Sequence, residues 1–140
     1  LMLIMRDGPA LIEINLISNL LLDYVDDYSQ HPFPEYLRTG IPVALSTDDR
    51  GMWDSTMTDE FFVATTEFNL SWDEIKQLNV NSLKYSFVDE DTKQKLLTHY
   101  DKRVISFEET MTREGMKSLR AVDPDIRSFI CKEYQLCTLK

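Results

Sequence analysis

Two short apolar runs rich in branched residues, set apart by a connection that carries helix signals, constrain this chain more than any other feature. The first, residues 10–16 (Ala-Leu-Ile-Glu-Ile-Asn-Leu), follows the breaker cluster Asp7-Gly8-Pro9 and reads as a strand. The second, Ile41-Pro42-Val43-Ala44-Leu45, reads as a strand over residues 42–46. Between them lie a turn predicted at Ile17-Ser18-Asn19 and a short helix over residues 32–39, with Pro near its first turn and Gly40 at its end. A connection of about 25 residues that contains a helix suits a parallel βαβ crossover, since a hairpin needs only a few residues. The class is therefore α/β.

The second run ends abruptly in Ser46-Thr47-Asp48-Asp49. A parallel strand that delivers adjacent carboxylates to its carboxyl end places them where parallel α/β proteins build their sites. Successive side chains there point apart, so one acid can face a metal while its neighbour faces a ligand. Taken alone, such a pair is more often a solvated turn or a helix cap than a metal site.

The remainder reads as helical. Phe61, Phe62, Ala64, Thr65 and Phe68 form an apolar stripe in a helix over residues 57–69. Ser71-Trp72-Asp73-Glu74 is a capping box at the start of another. Asn79 and Asn81 are predicted to interrupt that helix, and Leu83, Tyr85 and Phe87 to begin a new apolar patch. Asp89-Glu90-Asp91 suits the start of a helix reaching about Arg120, with a break expected near Ser106. Asp123-Pro124 is expected to open a last helix. The whole of 1–140 reads as one segment, with βα units in 1–55 and a helical tail in 56–140.

Composition narrows the function. With 43% hydrophobic and 11% aromatic residues, the chain lies outside the disordered range. A net charge of −9 excludes general binding to nucleic-acid backbones, which needs clustered cations. The opening Leu1-Met2-Leu3-Ile4-Met5 falls far short of the roughly 20 apolar residues that span a bilayer and lacks the charged region of a signal peptide. A soluble protein is expected, cytoplasmic or secreted, with no nucleic acid or membrane as partner. That opening, apolar and without an N-cap, reads as a cut. Cys131 and Cys137 fit neither a disulfide framework nor a Cys-x-x-Cys zinc site, and are expected to be unpaired thiols. Residues 23–27 (Asp-Tyr-Val-Asp-Asp) read as a solvated surface, lacking the oxygen spacing and Gly of a calcium loop. His31 reads as a capping or packing residue. Met52, Trp53 and Met57 read as core packing beside the acids, with the wall of a ligand pocket as the alternative.

In register along the chain stand Glu13-Ile14-Asn15-Leu16-Ile17-Ser18-Asn19, His31-Pro32, and Gly40-Ile41-Pro42-Val43 running into Ser46-Thr47-Asp48-Asp49. This order resembles the last two βα units of the adenosine deaminase family, whose pattern is Glu-Val-Cys-Pro-x-Ser-Asn, His-Pro, then Gly-(Ile/Val)-Pro-Val ending in Thr-Asp-Asp-Pro. Thr56-Met57-Thr58-Asp59-Glu60, Phe68-Asn69-Leu70-Ser71 and Asn81-Ser82-Leu83-Lys84-Tyr85-Ser86-Phe87 resemble its helical tail. The Asn-Ser-x-Lys-Tyr-Ser form is most similar to the growth-factor-related branch.

The resemblance implies the last two βα units of a (β/α)8 TIM-type barrel, followed by a helical carboxyl-terminal region. It implies a zinc-dependent hydrolase that converts adenosine, or a related aminopurine nucleoside, and water to inosine and ammonia. Asp48 would be a zinc ligand at the end of the eighth strand, and Asp49 would hydrogen-bond purine N7. A carboxylate is an acceptable zinc ligand, and the metal lowers the pKa of a bound water toward about 7. A bond between Asp49 and N7 needs a proton on one partner, which asks for a raised carboxyl pKa.

The family's other ligands and catalytic groups, three His, a further His and a Glu, belong to strands one, five and six. The two histidines here, His31 and His99, fall outside those strands and carry no ligand role, so no catalytic residue is assigned. The chain is accordingly expected to be an incomplete barrel, inactive alone and holding no zinc by itself. Its open strand edges would seek the missing amino-terminal barrel portion or self-associate. Two departures stand out: Asn15-Leu16 replaces Cys-Pro, and Arg50 replaces the Pro after the acids. A cation beside Asp48 and Asp49 would favour their ionised forms. The alternative is a non-catalytic fragment or degenerate relative that acts as a binding or structural module.

Overall fold

The structure is a computed structural model that describes residues 1–121 and 128–136. In chain order its elements are α1 (Met2–Asp7), β1 (Ile12–Ile14), α2 (Leu16–Leu21), a 3-10 turn (Tyr28–Gln30), α3 (Phe33–Arg38) and β2 (Val43–Leu45). There follow α4 (Arg50–Trp53), α5 (Met57–Phe68), α6 (Trp72–Lys84), α7 (Glu90–Glu114), a 3-10 segment (Gly115–Ala121) and α8 (Ser128–Glu133). Two compact units result: one holds Leu1–Tyr85 with the described residues from 128 onward, and the other begins at Ser86.

In the first unit β1 and β2 pair in parallel, with Ile12 opposite Val43, Glu13 opposite Ala44 and Ile14 opposite Leu45. The crossover is the one its length predicts. Bonds from Ile12 N to Pro42 O (2.9 Å) and from Ser46 N to Ile14 O (2.8 Å) extend the ladder. Strand β1 is shorter than its apolar run because Leu16 and Ile17 leave the ladder for α2. The turn expected at Ile17-Ser18-Asn19 is thus a helix, and its physical cause is a distant carboxyl group described below.

Helix α3 ends in a Schellman arrangement. Gly40, at φ +83°, donates to Leu37 O (3.1 Å), and Ile41 donates to Tyr36 O (3.1 Å). That geometry turns the chain into β2, whose three residues are all buried. Helices α5 and α6 pack on β2. The core joins Phe33, Ile41, Val43, Val63 and Leu78, all 2% exposed or less, with Phe68 edge-on to Phe33 at 5.3 Å between centroids. Each such side chain contributes about 1.5–3 kcal/mol through burial. Phe129 and Ile130 of α8 enter the same core, and Tyr134 donates to Glu67 (2.7 Å).

Both helix starts in the middle of the chain are closed by side chains. Thr56 and Asp59 cap α5 reciprocally, and Ser71 and Glu74 cap α6 as the sequence predicts. Asn79 and Asn81 do not interrupt α6, contrary to expectation. Asn79 Nδ2 bonds the Ile75 carbonyl one turn back (2.9 Å), and Asn81 turns its amide inward to donate to Val43 O (2.9 Å). A buried partner outweighs the weak intrinsic preference of Asn against the helix. Of the apolar patch expected at Leu83, Tyr85 and Phe87, Leu83 and Tyr85 are half-buried and Phe87 is fully exposed.

In the second unit Asp89 caps α7 by accepting from Thr92 N (2.9 Å). The helix runs unbroken past Ser106, whose carbonyl accepts from Thr110 Oγ1 (2.8 Å), and stops at Gly115, at φ +58°. The break expected near Ser106 is therefore displaced to the residue that tolerates a positive φ. The helix start expected at Asp123-Pro124 lies outside the described residues. Cys131 is disulfide-bonded rather than a free thiol, and Cys137 lies outside the described residues. No described helix is long and apolar enough to cross a membrane.

Because Asn81 serves the carbonyl of a fully buried residue, Asn81→Ala is expected to lower stability by about 1–3 kcal/mol, the cost of an unsatisfied buried acceptor. Urea unfolding checks this: a change within about 0.5 kcal/mol would show that the bond contributes nothing beyond a surface substitution.

Candidate functional site at the carboxyl end of the sheet

Beyond Leu45 the chain emerges from the core, and Ser46-Thr47 carry it to the two acids. Asp48 adopts a left-handed conformation, φ +50°, which Asp tolerates better than most side chains. Its carbonyl accepts from Arg50 N (2.9 Å) and its amide donates to Ser46 Oγ (3.4 Å). Asp49 is the N-cap residue of α4, its carbonyl accepting from Met52 N (2.8 Å). Both side chains are exposed. The strand end therefore carries two exposed carboxylate residues on a turn of the backbone.

Asp48 is held from a second direction. Ser18 Oγ donates to Asp48 Oδ2 at 3.0 Å, and Ser18 itself is 1% exposed. Ser18 sits in the first turn of α2, directly after β1, so the parallel pairing of β1 with β2 brings hydroxyl and carboxylate together. A hydroxyl in this position fixes the carboxylate's orientation, as partners of metal-ligating acids do.

The start of α2 has no cap from its own N-cap residue, Asn15. Glu60 of α5 supplies it: Leu16 N donates to Glu60 Oε2 (2.9 Å) and Ile17 N to Oε1 (3.4 Å). Amides at a helix start carry partial positive charge and favour such an acid. Glu60 is fully buried, and burial pushes its pKa up to about 8 against the opposing pull of the two amides. Asn19, next to Ser18, engages His31. Phe33 N donates to His31 Nδ1 (3.1 Å), which leaves the proton on Nε2 to bond Asn19 Oδ1 (3.0 Å). Burial lowers the His31 pKa. With both ring nitrogens engaged, His31 is the packing residue the sequence suggests.

Other expectations are met unevenly. Trp53 packs against the core, whereas Met52 and Met57 are exposed, at 69% and 41%. Asp23, Tyr24, Asp26 and Asp27 of the acidic 23–27 stretch are exposed, and Asp27 caps the 3-10 turn through Ser29 N (2.8 Å). Arg50 forms no ion pair with Asp48 or Asp49 among the described residues, so its expected influence on them finds no contact. Among those residues no three His, Cys, Asp or Glu groups converge as a metal cage. His99 lies on α7. Sequence reasoning left Ser18 without a role and missed Glu60. A signal for Glu60 existed: it stands four residues before Ala64 and eight before Phe68, on the buried stripe of α5.

Two solved deaminases share this fold in part. The solved structure of adenine deaminase from Arthrobacter aurescens matches with a TM-score of 0.69 and 26% identity, over 74% of this chain and 32% of that one. The N6-methyl-AMP deaminase of Arabidopsis thaliana matches in fold with a TM-score of 0.65 at 24% identity, over 70% of this chain and 29% of that one. The adenosine deaminase family model covers residues 1–103. Adenosine deaminase of Enterococcus faecalis is 33% identical over 93 residues, and that of Shewanella halifaxensis 36% over 94. These alignments cover 66% and 67% of this chain and 28% of each relative, so the chain spans less than a third of their length. The chain belongs to the adenosine deaminase family.

The folded chain retains a proton on Glu60 between pH 4.5 and about 8 that the unfolded chain releases. Rising pH therefore favours unfolding across that window. Stability to urea is expected to fall from pH 4.5 toward 8 more steeply in the wild type than in Glu60→Gln. Parallel pH profiles for the two would refute this.

Proposed function

We propose that these residues form the last two βα units of a (β/α)8 barrel, residues 1–55, with a helical tail over 56–140. In that barrel, complete, a 6-aminopurine nucleoside is deaminated hydrolytically: adenosine and water give inosine and ammonia, the C6–N bond breaking as a C6–O bond forms. The observation that carries this reading is the delivery of Asp48 and Asp49 to the carboxyl end of a buried parallel strand, with Asp48 oriented by Ser18, in a member of the family. Open strand edges would be covered by the amino-terminal portion of the barrel, or by a second copy in its absence.

Asp48 fits a zinc site as one ligand. Its oxygen is a suitable donor, and the Ser18 hydroxyl on Oδ2 is the outer partner that such a ligand needs. Zinc, when bound, would make water nucleophilic at neutral pH. Asp49, one residue further along the turn, would orient the purine by hydrogen bonding at N7. The relatives' names, adenosine, adenine and N6-methyl-AMP deaminase, share the purine 6-position, which supports an aminopurine as substrate and leaves the sugar or phosphate as the variable part.

A second reading, a relative that acts by association without chemistry, rests on a departure from the family motif. Asn15 stands in place of the motif's Cys, and its Oδ1 is buried without a hydrogen-bond partner among the described residues.

A complete barrel carrying this segment is expected to hold about one zinc per chain and to deaminate adenosine, and Asp48→Ala to lose both. Metal analysis and the absorbance change of deamination check this. Wild-type turnover in Asp48→Ala would remove Asp48 from the metal site, and a zinc-free, inactive wild type would favour the association reading. The 140-residue chain by itself is expected to give neither turnover nor stoichiometric zinc.

A further inference from the structure

We infer that Glu60 is a positioning residue for the acid pair, acting on Asp48 through α2. Four observations form the link. Glu60 is fully buried on α5 and accepts from Leu16 N at 2.9 Å and Ile17 N at 3.4 Å. Those two amides open α2, whose N-cap residue supplies no side-chain cap of its own. The residue after them, Ser18, is buried and donates to Asp48 Oδ2 at 3.0 Å. Asp48 in turn leads through α4 to Thr56, which closes the start of α5 in a capping box with Asp59, the residue before Glu60.

The contacts close a ring: Asp48, α4, Thr56 and Asp59, Glu60, the α2 amides, Ser18, and Asp48 again. A ring of this kind matters because Asp48 is exposed and in a left-handed conformation, so its own turn fixes it weakly. Orientation must come from a rigid neighbour. Ser18 is such a neighbour only while the first turn of α2 is formed, and isolated helices of this length do not form without tertiary support. Glu60 provides that support at the two amides immediately before Ser18.

The functional consequence rests on the reading of Asp48 as a metal ligand, but the positioning itself does not, so it is tested in the apo chain without zinc or turnover. Glu60→Gln keeps the side chain's shape and sets an amide N–H₂ against one of the two backbone N–H groups. In this variant the Leu16, Ile17 and Ser18 amides are expected to exchange with solvent about tenfold faster, the equivalent of one lost hydrogen bond. The carboxyl-carbon resonance of Asp48 is expected to move away from its wild-type position. Ser18→Ala should move that resonance while leaving Leu16 and Ile17 protected, which orders the chain of influence.

Leu78→Ala, a cavity in α6 within the same core, is the control for lost stability alone and should leave Asp48 unmoved. An Asp48 resonance unchanged in Glu60→Gln, or shifted equally in Leu78→Ala, overturns the proposal. Should Glu60→Gln not fold, the wild type carries the test. As pH is raised through the ionisation of Glu60, the Leu16 and Ile17 amides and the Asp48 carboxyl carbon should move with one midpoint. Separate midpoints, or a stationary Asp48, overturn the proposal equally. If positioning holds while zinc binding later fails in the complete barrel, the fault lies with the ligand assignment and not with Glu60.

Discussion

A carboxyl group buried away from water closes the first turn of α2, and much of the first unit depends on it. Helix α2 has six residues, too few to be stable on its own propensity. Without Glu60 the amides of Leu16 and Ile17 would be left unpaired in the interior, and an unsatisfied buried donor costs about 1–3 kcal/mol. With it, β1 ends on time, Leu16 and Ile17 drop into the core at 0% exposure, and Ser18 faces the end of β2. The acid is costly to bury, which its raised pKa reflects, and two hydrogen bonds from a helix start offset that cost.

The same economy of polar groups recurs around β2. Its Val43 carbonyl faces α6 rather than a third strand, and Asn81 reaches in to satisfy it. Its entry is set by Gly40, whose positive φ ends α3 and swings Ile41 into the core. On the other side, His31 ties Asn19 to the start of α3 through both ring nitrogens. Polar side chains thus pin the ends of very short elements, while the apolar residues between them supply the attraction. The acid pair inherits its rigidity from this scaffold, since the segment that bears it is otherwise an exposed turn.

Features that depend on neighbours in the chain were legible in the sequence. The parallel crossover followed from the length of the connection, the start of α6 from Ser71 and Glu74, and the end of α3 from Gly40. Misreadings arose where a local signal met a distant partner. Asn81 looks like a helix breaker until Val43 O is beside it, and Ser18-Asn19 looks like a turn until Glu60 caps the residues before them. Ser106 looks like a break, yet α7 runs on to Gly115, whose positive φ ends it. Cys131, expected as a free thiol, is disulfide-bonded.

The sequence by itself determined the α/β class, the βαβ handover from residues 10–16 to 42–46, the place of Asp48 and Asp49 after it, and, through motifs in register, the family. The class, the handover and the place of the acids are written in spacing and periodicity along one stretch of chain, and the family in the resemblance of its motifs. Only the tertiary structure decided that Ser18 holds Asp48, that Glu60 holds α2, and that Asn81 serves β2. Those partners stand 30, 43 to 44 and 38 residues apart. A hydrogen bond between groups so distant along the chain leaves no periodic trace, because its partners become neighbours only when β1 and β2 align and α5 and α6 settle on them.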